Sequence, residues 1–118
     1  MKQQNQGILL RIFIGESDRW EHLPLYEAII QKARERGLAG GTVLRGVEGF
    51  GAHSRVHAAR ILRLAEDLPV VVEIVDREEK IDAFMADLDE MVAEGLVTRE
   101  KVDVIFYRVR QPGDEHTH

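Results

Sequence analysis

The order of residues predicts an α+β domain of ferredoxin-like βαββαβ topology, a four-stranded antiparallel sheet with two helices on one face. Three observations carry this prediction. Four short segments are rich in Val, Ile, Leu and Phe and are bounded by Gly, Pro or Asp, as strands are. Two longer segments repeat apolar residues at helical spacing. Their order is strand, helix, strand, strand, helix, strand, the split βαβ arrangement. A length of 118 residues suits one such domain.

The first strand is Ile8 to Ile14, closed by Gly15. The polar stretch Glu16 to Leu23, with Trp20 inside it, reads as a loop. Pro24 opens the first helix, where its missing N–H is not needed. Leu25, Ile29 and Ala33 then form one helical face, and Gly37 is placed to stop the helix in the left-handed conformation. The second strand runs from about Gly41 to Val47 and enters a glycine-rich stretch, Gly46 to Gly51. Val70 to Val75 is the third strand. Asp76 with Glu79 three residues later reads as an N-cap and capping box. Ile81, Phe84, Met85, Leu88, Met91 and Val92 fit one helical face, which Gly95 ends. The last strand lies within Val97 to Val109. Residues 1–6 and 111–118 are expected to be disordered, leaving 7–110 as the domain.

Composition narrows the function. Lys and Arg number 16 and Asp and Glu 21, a formal charge of −5. That balance argues against nucleic acid as a partner, since a basic footprint is needed. There is no cysteine, so disulfides, thiolate metal sites and thiol catalysis are excluded. No apolar run approaches the roughly 20 residues of a membrane span, and the N-terminus lacks a signal-peptide core. A cytoplasmic location is the expectation. Hydrophobic residues at 44% fit a globular domain.

Two helices cover one sheet face only. Ile8, Leu10, Ile12 and Ile14 should meet them, because strand side chains alternate. The other face then shows Leu9, Arg11 and Phe13, with Val71, Glu73 and Val75 beside them. Arg11 and Glu73 are placed to face each other across neighbouring strands. A largely apolar open face marks an interface, so a homo-oligomer is expected. The alternative is that residues 52–69 fold over it.

The candidate chemistry gathers between Arg45 and Arg63. Glycines 46, 49 and 51 permit sharp turns and close approach of a ligand to backbone N–H groups. Arg45 and Arg55, with His53 and His57, would make such a loop an anion site. Phe50 between glycines gains little from local packing and is free to stack on a base or dock on a subunit. The string is neither a Walker A motif nor a dinucleotide fingerprint. A plain loop with solvated charges is the competing reading. His53 and His57 at i, i+4 could hold a metal on a helix, but lack an acid at suitable spacing. Glu16, Asp18 and Glu21 form an acidic cluster that could bind a cation or ribose, or simply be solvated. Neither Ser17 nor Ser54 sits in a nucleophile elbow. An enzyme such as a nucleotide hydrolase would therefore lack an evident nucleophile or metal centre.

Four runs carry a resemblance: Ile12-Phe13-Ile14-Gly15-Glu16, Pro24-Leu25-Tyr26, the stretch Gly41 to Gly51 with its Arg45-Gly46-x-x-Gly49-Phe50-Gly51 string, and Asp67-Leu68-Pro69 through Asp76. Over about Ile8 to Val109 the chain resembles the uncharacterised PII-like family of small bacterial and archaeal proteins. The resemblance implies a homotrimer and binding of an adenine nucleotide in clefts between subunits. In PII proteins a mobile loop after the second strand contacts targets, and residues 49–68 hold that position here. On that reading Arg45, Gly49, Phe50, Gly51, His53, Arg55 and His57 would form the ligand loop, and Arg108 and Arg110 could supply a phosphate partner from the same or a neighbouring subunit. The glycine-rich phosphate loop that PII proteins carry after the third strand is absent, as Asp76 leads straight into a helix. The modified loop tyrosine also has no counterpart. AMP or ADP is thus the expected ligand rather than ATP with 2-oxoglutarate. Genes of this family often lie near fluoride-exporter genes, which implies a membrane transporter as partner. A divalent-metal-responsive trimer of the same fold is the alternative.

Overall fold

The computed structural model describes residues 6–50 and 68–110. In chain order they form β1 (Gln6–Gly15), β2 (Arg19–Trp20), β3 (Leu23–Pro24), α1 (Leu25–Glu35), β4 (Thr42–Arg45), β5 (Pro69–Asp76), α2 (Glu78–Met91) and β6 (Leu96–Asp103). The main sheet is antiparallel with order β4-β5-β1-β6. The two continuous apolar strands, β1 and β5, are therefore central, as the ferredoxin-like prediction requires.

Alternation builds the core. Ile8, Leu10, Ile12 and Ile14 of β1 and Val70, Val72 and Ile74 of β5 are buried on one face. Leu25, Ala28, Ile29 and Ala33 of α1, and Ile81, Phe84, Leu88 and Met91 of α2, close over them. Pro24 stands at the N-cap of α1 with φ −56°, suited to its ring. The helix ends in a Schellman motif. Gly37, at φ +77°, donates its N–H to Arg34 O at 3.0 Å, and Leu38 donates to Ala33 O at 3.0 Å. A bidentate ion pair ties the two helices: Arg36 Nε reaches Asp87 Oδ2 at 2.7 Å and its NH2 group reaches Oδ1 at 2.8 Å.

Several expectations need correction. The stretch 16–23 is not all loop, since Arg19–Trp20 and Leu23–Pro24 pair as a small ribbon and Trp20 packs against the core. Asp76 is not the N-cap of α2. Arg77 holds that position without a side-chain cap, and Asp76 Oδ2 instead accepts the Ala39 N–H at 2.8 Å. The last strand ends at Asp103, opposite Gln6, where the described part of β1 begins. Gln6, expected in a disordered N-terminus, thus already belongs to the sheet. The second strand is also shorter than expected, Thr42–Arg45.

Among the described residues nothing covers the second sheet face, and most of the alternative cover, residues 52–69, lies outside them. Phe13, Leu44, Val75 and Leu96 are exposed on it, with Leu9 and Val71 half-buried. Arg11 and Glu73 sit in register, and Arg11 Nε meets Glu73 Oε2 at 2.9 Å while its NH1 group approaches Glu100 Oε1 at 3.4 Å. The hydrogen bond to Glu73 holds the Arg11 guanidinium above its ordinary pKa.

Candidate functional site

β4 delivers Arg45 to the end of the sheet where β1 finishes and β5 begins. Two backbone hydrogen bonds tie this junction. Gly46 N–H donates to Pro69 O at 2.7 Å, and Glu16 N–H donates to Leu68 O at 2.8 Å. Arg45 reaches across it, its NH2 group 2.6 Å from Glu16 Oε2. Both side chains keep access to solvent, Arg45 at 53% and Glu16 at 25%. A guanidinium at a strand end beside the entry to a glycine string can accept an anion, provided Glu16 shares or yields it.

The glycines have a structural role here. A Cβ on Gly46 would stand 2.8 Å from Pro69 Cγ, and one on Gly49 3.1 Å from the same atom. Close packing on the Pro69 ring accounts for both positions, independently of any ligand. Val47 and Phe50 then project outward, 77% and 71% exposed. Phe50 is thus available for stacking, and nothing among the described residues covers it.

Gly51, His53, Arg55 and His57 lie outside the described residues. Arg108 and Arg110 follow β6 beyond Asp103. That strand leaves the sheet at the end where β1 starts, opposite the Arg45 junction. Arg108 lies over the Phe106 ring, its Cζ 4.0 Å from the centroid, a cation–π contact. The acidic cluster does not converge. Glu16 faces Arg45, and Asp18 Oδ2 accepts the Gly15 N–H at 3.0 Å. Among the described residues no group of three or more His, Asp or Glu is placed to hold a metal. Nor is any helix among them long and apolar enough to cross a membrane.

Glu16 as the counter-charge of Arg45 was not read from the sequence. The long stretch of chain between them hides the contact, and only the strand order brings the end of β1 near the end of β4.

Residues 7–104 match the DUF190 family, described as "Uncharacterized ACR". The chain belongs to this family. Among its relatives, a UPF0166 protein of Aquifex aeolicus is 42% identical over 98 residues, covering 83% of this chain and 92% of that one. A UPF0166 protein of Methanocaldococcus jannaschii is 34% identical over 84 residues, 71% and 77% of the two chains. Two solved structures share the DUF190 chain's fold. CPII of Thiomonas intermedia K12, a nitrogen regulatory PII-like protein solved with ADP, AMP and bicarbonate, has a TM-score of 0.57 at 16% identity, covering 84% of this chain and 88% of its own. A PII-like protein of Thermus thermophilus gives 0.60 at 17%, covering 82% and 87%. The resemblance to an uncharacterised PII-like family is thus established, and the fold is PII-like.

Proposed function

We propose that this DUF190 protein is a non-catalytic regulator, a homotrimer that binds an adenine nucleotide, AMP or ADP, in clefts between subunits. Arg45 at the mouth of the glycine string carries the reading. It is a fixed, forked cation at the entry to the string that carries the exposed ring of Phe50. A phosphate would take Arg45 from Glu16, and Phe50 would stack on the base. Gly49, Gly51, His53, Arg55 and His57 would complete the loop, with Arg108 and Arg110 of a neighbouring subunit adding charge to the phosphates. The likeness in fold to CPII, which was solved with ADP and AMP, supports the choice of ligand. The open apolar face, with Phe13, Leu44, Val75 and Leu96, supports assembly.

Regulation would follow from the ligand setting the conformation of residues 49–68, the surface offered to a partner protein. A membrane transporter, as the gene neighbourhood of the family implies, would be one such partner. Isothermal titration with AMP, ADP, ATP and cyclic AMP tests the reading. Micromolar to submillimolar binding of AMP or ADP is expected, and no heat from any of them at millimolar concentration would overturn it.

A further inference from the structure

The turn from α1 into β4 borders a cavity of about 390 Å³, at the opposite end of β4 from Arg45. That volume is in the lower range of small-molecule sites. Ile30 and Ala33 of α1, with Leu38, give the cavity an apolar floor. Ala39, Gly40 and Gly41 form a backbone wall, and the exposed Arg34 lines it as well. The wall is held from behind at three places. Leu38 N–H donates to Ala33 O at 3.0 Å, Lys80 Nζ donates to Gly37 O at 2.8 Å, and Ala39 N–H donates to Asp76 Oδ2 at 2.8 Å. The cavity is therefore built into the fold, and filling it would cost little ordering entropy.

Two of its residues have no explanation in the fold. Nothing lies within 4 Å of where a Cβ on Gly40 would stand, and its φ is outside the left-handed region, so neither packing nor backbone requires glycine. The missing side chain leaves the cavity open. Arg34 is the second. The neighbouring cations of α1 are paired, Lys32 with Glu35 at 3.3 Å and Arg36 with Asp87 at 2.7 Å, whereas Arg34 has no ion pair among the described residues.

We propose that this cavity binds a small organic monoanion, a carboxylate carried on an apolar body. The forked guanidinium of Arg34 matches a carboxylate, and Ile30, Ala33 and Leu38 receive the hydrocarbon. Charge sets the class. Arg34 is the cation that lines the cavity, Lys80 being engaged by Gly37 O, and the C-terminal end of α1 adds a partial negative charge. A single negative charge suits that balance better than a phosphate dianion. The site is separate from Arg45 and does not depend on the nucleotide reading.

Titration of the ¹⁵N-labelled full chain with sodium octanoate, followed by NMR, is the test. The amides of Ala39, Gly40 and Gly41 should shift saturably, with a Kd of about 1 mM or tighter for a ligand of this size. Arg34→Gln should weaken binding at least about tenfold. Gly40→Leu, whose side chain enters open space, should abolish it, and both variants should keep the Tm of the natural protein. Sodium phosphate should leave these amides in place, and AMP should not displace octanoate. Absence of a shift at about 10 mM octanoate overturns the inference. So does equal binding by Arg34→Gln, an equal response to phosphate, or competition by AMP. Shifts centred on Phe13 and Leu96 would place the acid on the open sheet face and overturn it too. Failure of AMP to bind anywhere defeats the nucleotide reading and leaves this site standing.

Discussion

Glu16 competes with any anionic ligand for Arg45, so the two residues should respond to mutation in opposite directions. Arg45→Ala removes a charge-assisted contact worth about 1.5–3 kcal/mol, and titration should show nucleotide affinity falling roughly ten- to a hundredfold. Glu16→Gln frees the guanidinium and takes a negative charge from the phosphate's path, and the same titration should show affinity rising a few-fold. Asp87 tells a different story, of stability rather than binding. It is buried, and the bidentate hydrogen bond from Arg36 holds its carboxyl below the ordinary 3.8. A depressed folded pKa means that its contribution is complete above 3.8 and is lost as pH falls through the lower folded value. Asp87→Asn should lower Tm by roughly 5 °C at neutral pH. The difference between the variant and the natural protein should shrink in melts taken progressively below about pH 4.

At the scale of elements, one turn and one core position decide whether the sheet and helices stay in register. Gly95 links α2 to β6 at φ +155°, and a Cβ there would lie 2.7 Å from Phe13 O, a backbone atom that cannot step aside. Gly95→Ala should destabilise by about 1–3 kcal/mol in chemical denaturation. Phe84, with no exposed surface, is the largest wholly buried side chain among the described residues, and Phe84→Ala should cost about 3–5 kcal/mol by the same measure. These elements were legible in the sequence because their causes are local. Alternation told which face of β1 is buried, and it paired Arg11 with Glu73 before any register was known. Gly37 announced its left-handed turn. What escaped was set by distant competition. Asp76 with Glu79 has the spacing of a capping box, yet the N–H of Ala39, brought near by folding, takes the carboxylate. The run from Val104 to Val109 has every mark of a strand, yet it pairs with no strand among the described residues, in which β1 begins at Gln6 opposite Asp103. In the site, the position of Arg45 was readable from the glycine string, whereas the packing of Gly46 and Gly49 on Pro69 was not.

For the whole molecule, the proposed assembly rests on the open face. Phe13→Glu would set a charge between Leu96 and Val71 and diagonal to the acid Glu73, away from the helix-covered core. Light scattering should show the oligomer dissociating while the far-UV spectrum persists. The junction at the other end of the sheet has a consequence of its own. The chain departs after Gly46 and returns at Leu68, and both points are pinned, by Gly46 N–H on Pro69 O and by Glu16 N–H on Leu68 O. Whatever lies between is an insertion held at its two roots. The cost of closing such an insertion grows only with the logarithm of its length, about 0.6 kcal/mol per doubling. Replacing residues 51–67 with a Gly-Ser spacer of half that length should therefore leave Tm within a few degrees while abolishing nucleotide binding. The sheet acts as a socket, and evolution can exchange what is plugged into it without renegotiating the frame.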